Sequence, residues 1–252
     1  MIQSDVEDGS PIDLHGKLAG LELVLGLLVS GGYYVLSQFN VMPGFLWGLV
    51  LIVQAIVSIV LLVHYVMNRK SRRLWVEGIA SMLILVPWLM IAFFWLFYIL
   101  YIPIPAIAKA LVVVVCFAII VRHAFLVLSD FRRATKKQSV ICTIYHDNGK
   151  NLILRHSCGG YIDQLTSRNP LKGSVLSVLM YLAPFAAAFG LNVNHVFGEN
   201  VGPHVLCVVF SILTFPMTIS IIGNFYVRQL FFRVYLPFKL ERKTGKKVIL
   251  GD

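Results

Sequence analysis

The chain has 252 residues, of which 58% are hydrophobic and only 13% charged, and its formal net charge is +10. A soluble domain carries about 25% charged residues, so this composition, with a mean hydropathy of +0.80, excludes a single water-soluble globule and calls for a bilayer as apolar solvent. On a soluble chain the positive charge would suggest nucleic acid. Here it is read as topology instead, and no nucleic acid is expected.

A spanning helix needs about 20 mostly apolar residues. Six stretches qualify: Leu18–Phe39, Gly44–Met67, Leu74–Tyr101, Ile104–Ser129, Ser174–Leu191 and Pro203–Val227. The tail over residues 1–17 is acidic and lacks the basic start of a leader, so the first run is expected to be retained as a helix. The third stretch is long enough to tilt.

Lys and Arg alternate with the loops. Arg69–Arg73 separates spans two and three, the loop over 130–173 carries Arg132, Arg133, Lys136 and Lys137, and the tail over 228–252 carries Arg228, Arg233, Lys239, Arg242, Lys243, Lys246 and Lys247. The connections Asn40–Pro43, Ile102–Pro103 and Asn192–Gly202 contain neither residue. Positive charge stays inside, which predicts an all-α, six-span protein with both termini cytoplasmic, in a plasma or bacterial inner membrane. Trp47, Trp95, Tyr98 and Tyr101 fall where an outer interfacial belt is expected, and Trp75 at the inner one.

The loop between spans four and five carries a β-hairpin signal. Asn148-Gly149 lies between two β-prone runs and predicts strands Val140–His146 and Asn151–His156 around a type I′ turn. An isolated hairpin is marginal in water, so Tyr145, Asn148, Gly149, Leu152 and Leu154 are candidates for docking a partner. Such a turn puts Cys142 and His146 on one face and His156 and Cys158 on the other, which argues against a four-ligand metal site. No cofactor is expected.

In the tail, Arg228, Arg233 and Lys239 punctuate apolar residues. This reads as a continuation of span six lying on an anionic membrane surface, where each basic residue gains about 1 kcal/mol. Lys243–Lys247 reads as solvated.

Ionisable and amide groups at membrane depth are functional candidates. Glu22, Gln54, Glu77, Arg122 and His123 form that set, as a polar network or pore, with a Glu22–Arg122 ion pair as one arrangement. Gln54 also suits interhelical hydrogen bonding. Gly26, Ser30, Gly31 and Gly32 give span one a small-residue face. No protease, metallohydrolase or phosphotransferase motif is present, so catalysis is not expected. The reading that follows is a non-enzymatic membrane subunit that forms homo-oligomers and anchors or assembles a larger complex through membrane or cytoplasmic protein partners. A small homo-oligomeric channel or transporter, and a lipid-modifying membrane enzyme, are the alternatives.

Overall fold

The computed structural model describes residues 13–68, 71–155, 158–166, 168–170 and 201–250. These are mostly helical. α1 (Asp13–Gln38) and α2 (Phe45–Asn68) form an antiparallel hairpin. α3 (Leu74–Leu83), α4 (Val86–Ala92) and α5 (Phe94–Tyr101) follow, then the long α6 (Ala106–Ala134). A small module then begins with α7 (Gln138–Ile144), β1 (Tyr145–Asp147), β2 (Asn151–Leu154) and α8 (Cys158–Gln164). Among the described residues four helices are long and apolar enough to cross a membrane, and a fifth span arises if the bent pair α3–α4 is counted as one. The sequence-predicted span Ser174–Leu191 lies outside the described residues.

The last helix is unusual. α9 (Val201–Ser220) runs without interruption into a π-wound section, π1 (Ile221–Tyr226). One turn, α10 (Val227–Gln229), leads to a second such section, π2 (Leu230–Tyr235), and then to α11 (Leu236–Thr244) and β3 (Lys247–Leu250). The uninterrupted helix covers Gly202–Thr244, 43 residues. π-winding is rare and usually limited to one turn.

The stretch expected as one span, Leu74–Tyr101, is broken twice. α3 and α4 meet at 41°, and a second break falls at Phe93. Pro87 has no N–H and cannot donate to the turn before it. At the second break, the Leu96 N–H turns to the Phe93 carbonyl at 3.0 Å. In hydrocarbon such freed carbonyls need other donors, and distant side chains provide them. Tyr226 Oη donates to the Met82 carbonyl at 3.0 Å, Tyr33 Oη to Met90 at 2.9 Å, and Thr218 Oγ1 to Ala92 at 2.6 Å. Thr218 also accepts from the Trp95 indole N–H at 2.9 Å. Trp95 and Tyr98, expected in an interfacial belt, are therefore buried between helices, because each polar tip has a partner there.

The basic segments converge at one end of the bundle. Arg73 pairs with Ile249 across a β-bridge, and the Leu250 N–H reaches the Arg72 carbonyl. A core of Leu74, Phe131, Ile144, Phe232 and Val248 joins α3, α6, α7, π2 and β3. The sheet has three strands in the order β1-β2-β3, the first pair antiparallel and the second parallel.

Two sequence expectations are corrected here. Residues Val140–Ile144 are helical, because Val140 and Ile144, one turn apart, both bury on the same core; the first strand is only Tyr145–Asp147. The turn is shifted by one residue: Asn148 pairs with Asn151, leaving Gly149-Lys150 central, with Gly149 at φ 86°. Glycine first in a two-residue hairpin turn is a favoured alternative to the type I′ form. Here it is set by Asn148 Oδ1, which accepts from the N–H groups of Lys150 and Asn151. The stretch expected to be solvated is exposed at Lys243, Gly245 and Lys247, and it leads straight into β3. Gly245 ends α11 in the left-handed region at φ 70°, and Lys246 Nζ grips both Asp147 oxygens at 2.6 and 2.8 Å.

Candidate functional site

A cavity of about 590 Å³ opens beside π1 at the basic end of the bundle. Its wall is divided. Leu85, Trp88, Phe131 and Phe225 supply an apolar half, and Asp163, Asn169, Asn224 and Arg228 a polar half. A second, apolar groove of about 450 Å³ runs along α1, α4 and α9, floored by Gly32, Tyr33, Ile91 and Phe210. Trp88 borders both spaces. Both sizes fall within the about 300–1,000 Å³ of ligand sites.

One stripe of the last helix links them. Phe210 and Thr214 face the groove, and Met217, Ile221, Asn224 and Arg228 face the cavity. These positions alternate four and three apart, which keeps them on one face. The stripe passes from phenylalanine to arginine, so the surface it presents is apolar at one end and charged at the other.

The polar rim is ordered by its own contacts. Arg228 pairs with Asp163, and its guanidinium lies 5.8 Å from the Phe225 ring centroid. Arg168 Nε contacts Asp130 Oδ2 at 2.7 Å. Ser220 Oγ donates to Asn169 Oδ1 at 3.0 Å, and Asn224 Nδ2 to the Arg168 carbonyl at 3.3 Å. Asn224 Oδ1 is buried with no partner. An orphaned carbonyl oxygen in such a place costs about 1–3 kcal/mol, which a bound donor would relieve.

The sequence-predicted residues fall in separate places. Glu22 and Gln54 both lie buried on the seam of α1 and α2. Glu22 takes the Ser58 hydroxyl rather than Arg122. Arg122 is exposed on α6, among exposed Ile119, Val121 and Phe125. His123, its neighbour, points inward, and its ring rests against Gly223 of π1: a Cβ there would lie 2.3 Å from His123 Cδ2. Glu77 pairs with Arg233 at 3.2 Å. The five residues thus form no single network.

Of the hairpin residues, Tyr145, Leu152 and Leu154 are buried in the chain's own core, while Asn148 and Gly149 sit exposed at the turn. Tyr145 Oη donates to the Phe232 carbonyl at 2.5 Å. In π register that carbonyl would take its hydrogen bond from residue 237, which is a proline without an N–H. Burial pushes the Tyr145 phenol well above its ordinary value, so it remains a donor. Of the proposed headgroup contacts, Arg228 lines the cavity, Arg233 is held by Glu77 and Lys239 is exposed. Sequence reading missed Trp88, Asp163 and Asn224. The three-and-four spacing from Phe210 to Arg228 was the available signal for Asn224.

Comparison with protein-family profiles, characterised proteins and solved structures returns no match. The functional reading rests on the geometry of the chain itself.

Proposed function

We propose that this chain is a non-catalytic protein of a plasma or bacterial inner membrane that crosses it six times with both termini in the cytoplasm, and that it holds a membrane phospholipid drawn from the cytoplasmic leaflet. The observation that carries the reading is the shared stripe. One helix face lines an apolar groove suited to an acyl chain and, past Trp88, a polar cavity suited to a headgroup. The basic segments gather at the cavity end, which under the positive-inside rule is cytoplasmic. A phosphate would meet Arg228, and a hydroxyl or ammonium would satisfy Asn224 Oδ1. Apart from Asn224 Oδ1, the rim groups named above are already bonded within the chain, an arrangement for holding rather than for moving protons.

The test is to purify the chain in a non-lipid detergent, extract the lipid that stays bound, and quantify it per protein. Gly32→Phe fills the groove, and a Cβ at Gly32 meets nothing within 4 Å, so the fold should tolerate it. Wild type should retain phospholipid in constant stoichiometry and Gly32→Phe should lose it while melting normally. Equal retention by the two proteins would overturn the reading.

A second observation favours membership of a larger assembly. Only 11% of the spanning window of α6 is buried, and that bare apolar face carries Arg122. A guanidinium at membrane depth favours a carboxylate partner. Among the described side chains the acidic groups within the spans are not free for it, Glu22 being fully buried and Glu77 held by Arg233, so the carboxylate would come from another polypeptide. Arg122→Leu should then dissociate the complex seen by native mass spectrometry of gently extracted membranes. An unchanged complex would remove this reading.

A further inference from the structure

The seam between α1 and α2 holds a polar cluster, Glu22, Gln54 and Ser58, that lines neither the cavity nor the groove and is unused by the lipid reading. Glu22 is 0% exposed; one carboxyl oxygen accepts the Ser58 hydroxyl, and Oε1 has no partner. Gln54 is also 0% exposed, and neither its amide oxygen nor its nitrogen has a partner. Gly26 makes room for it: a Cβ there would lie 2.7 Å from Gln54 Cβ. Glu22 and Gly26 are one turn apart on α1, and Gln54 and Ser58 one turn apart on α2. The contacts Glu22–Ser58 and Gly26–Gln54 therefore bring the carboxyl and the amide into adjacent turns of one interface.

Among the described side chains no cation answers this carboxyl. Below it on the seam lie Ala19 and Leu61, packed on Ala80 and Leu83. On α2, His64 lies further along and holds the Val76 carbonyl at 2.9 Å. On α3, Glu77 is taken by Arg233. α4 carries no ionisable residue, and Asp13, His15 and Lys17 belong to the start of α1. An isolated carboxylate in a dry interior is far too costly to persist uncompensated. Intramembrane carboxylates mark ion and proton paths by default. Three oxygen-bearing side chains, two of them with orphaned oxygens, make a donor set for a hard cation.

We propose that Glu22, Gln54 and Ser58 form an occluded site for one monovalent cation. The single positive charge neutralises Glu22 and engages the Gln54 oxygen. An alkali ion would be bound by both oxygens together with Ser58. A proton would sit on Glu22 and be shared with Gln54.

The experiment measures the melting temperature of the full chain in detergent. Sodium, potassium and choline chlorides are compared at equal ionic strength, each across a pH series. A rise of several degrees selective for sodium or potassium assigns an alkali ion. A pH-dependent rise indifferent to the salt assigns a proton. In either case both Glu22→Gln and Gln54→Met must abolish the response; Met keeps the side-chain length and removes the amide. A wild-type chain indifferent to both cation and pH overturns the site whatever the variants do. A response that survives Gln54→Met also overturns it, leaving Glu22 as a lone buried carboxyl.

Discussion

The weld between the broken span and the last helix rests on Gly78. A Cβ at this position would lie 2.7 Å from Arg233 Cβ, 3.1 Å from Val234 Cγ2 and 3.2 Å from the Arg233 carbonyl carbon. Two of those neighbours are fixed to the backbone, so Gly78→Ala must push α3 and π2 apart. Overpacking of this kind costs about 1–3 kcal/mol, and contact with backbone argues for the upper end. Alanine returns about 1 kcal/mol of helix propensity, leaving a net loss of about 2 kcal/mol. For a chain of this length each kcal/mol moves Tm by about 2–4 °C, so Tm should fall by about 4–8 °C. A thiol-reactive dye is a suitable reporter, because Cys158 is buried in the adjoining module. Gly31→Ala is the matched control. A Cβ there meets nothing within 4 Å, so the same substitution should be neutral or raise Tm. If Gly78→Ala behaves like Gly31→Ala, the close approach of α3 to π2 is refuted.

Three other outcomes follow from the same contacts. Tyr145→Phe leaves the Phe232 carbonyl without a donor in a buried core and should cost about 1–3 kcal/mol, read as a lower Tm with unchanged helical content. The Lys246 ammonium and the Gly149 N–H hold the Asp147 carboxyl below its ordinary value. A carboxyl lowered by folding contributes stability above its unfolded value and loses it as pH falls through the folded one. Docking of β3 should therefore loosen in acid, seen as faster exchange of the Ile249 amide, which faces β2, after correction for intrinsic rates; Asp147→Asn should remove that dependence. Cys142 is exposed whereas Cys158 and Cys207 are buried, and burial also pushes the Cys158 thiol up. An impermeant maleimide should label Cys142 in inverted vesicles and not in intact cells, and labelling in intact cells would reverse the proposed orientation.

Long apolar periods made α1, α2, α6 and α9 legible, because twenty apolar residues have few other fates. The twin breaks of the third span were not legible. Pro87 was visible, but a break persists only if its carbonyls find donors, and these come from Tyr33, Thr218 and Tyr226, all far away in sequence. The hairpin was located by Asn148-Gly149. Its register depended on which of the two took positive φ, and the Asn148 side chain decided that by bonding onward to Lys150 and Asn151. β3 was hidden by the lysines before it, although Val248-Ile249-Leu250 is β-prone; Lys246 is spent on Asp147 rather than on solvent. The ion pairs of Arg228 and Arg233 were not legible because their partners, Asp163 and Glu77, lie in other segments. Glu22 and Gln54 were identified as polar groups at depth, but that they share one seam depends on the pairing of α1 with α2.

The parallel pairing of β2 with β3 also sets a schedule for biosynthesis. Lys246 and Asp147 are 99 positions apart, and a ribosome adds about 5–20 residues per second. For roughly 5–20 seconds after the hairpin leaves the ribosome, Leu152 and Leu154 lack the strand that completes their sheet, and the hairpin edge is open to pairing with other chains. A nascent chain stalled before β3 would present that same edge.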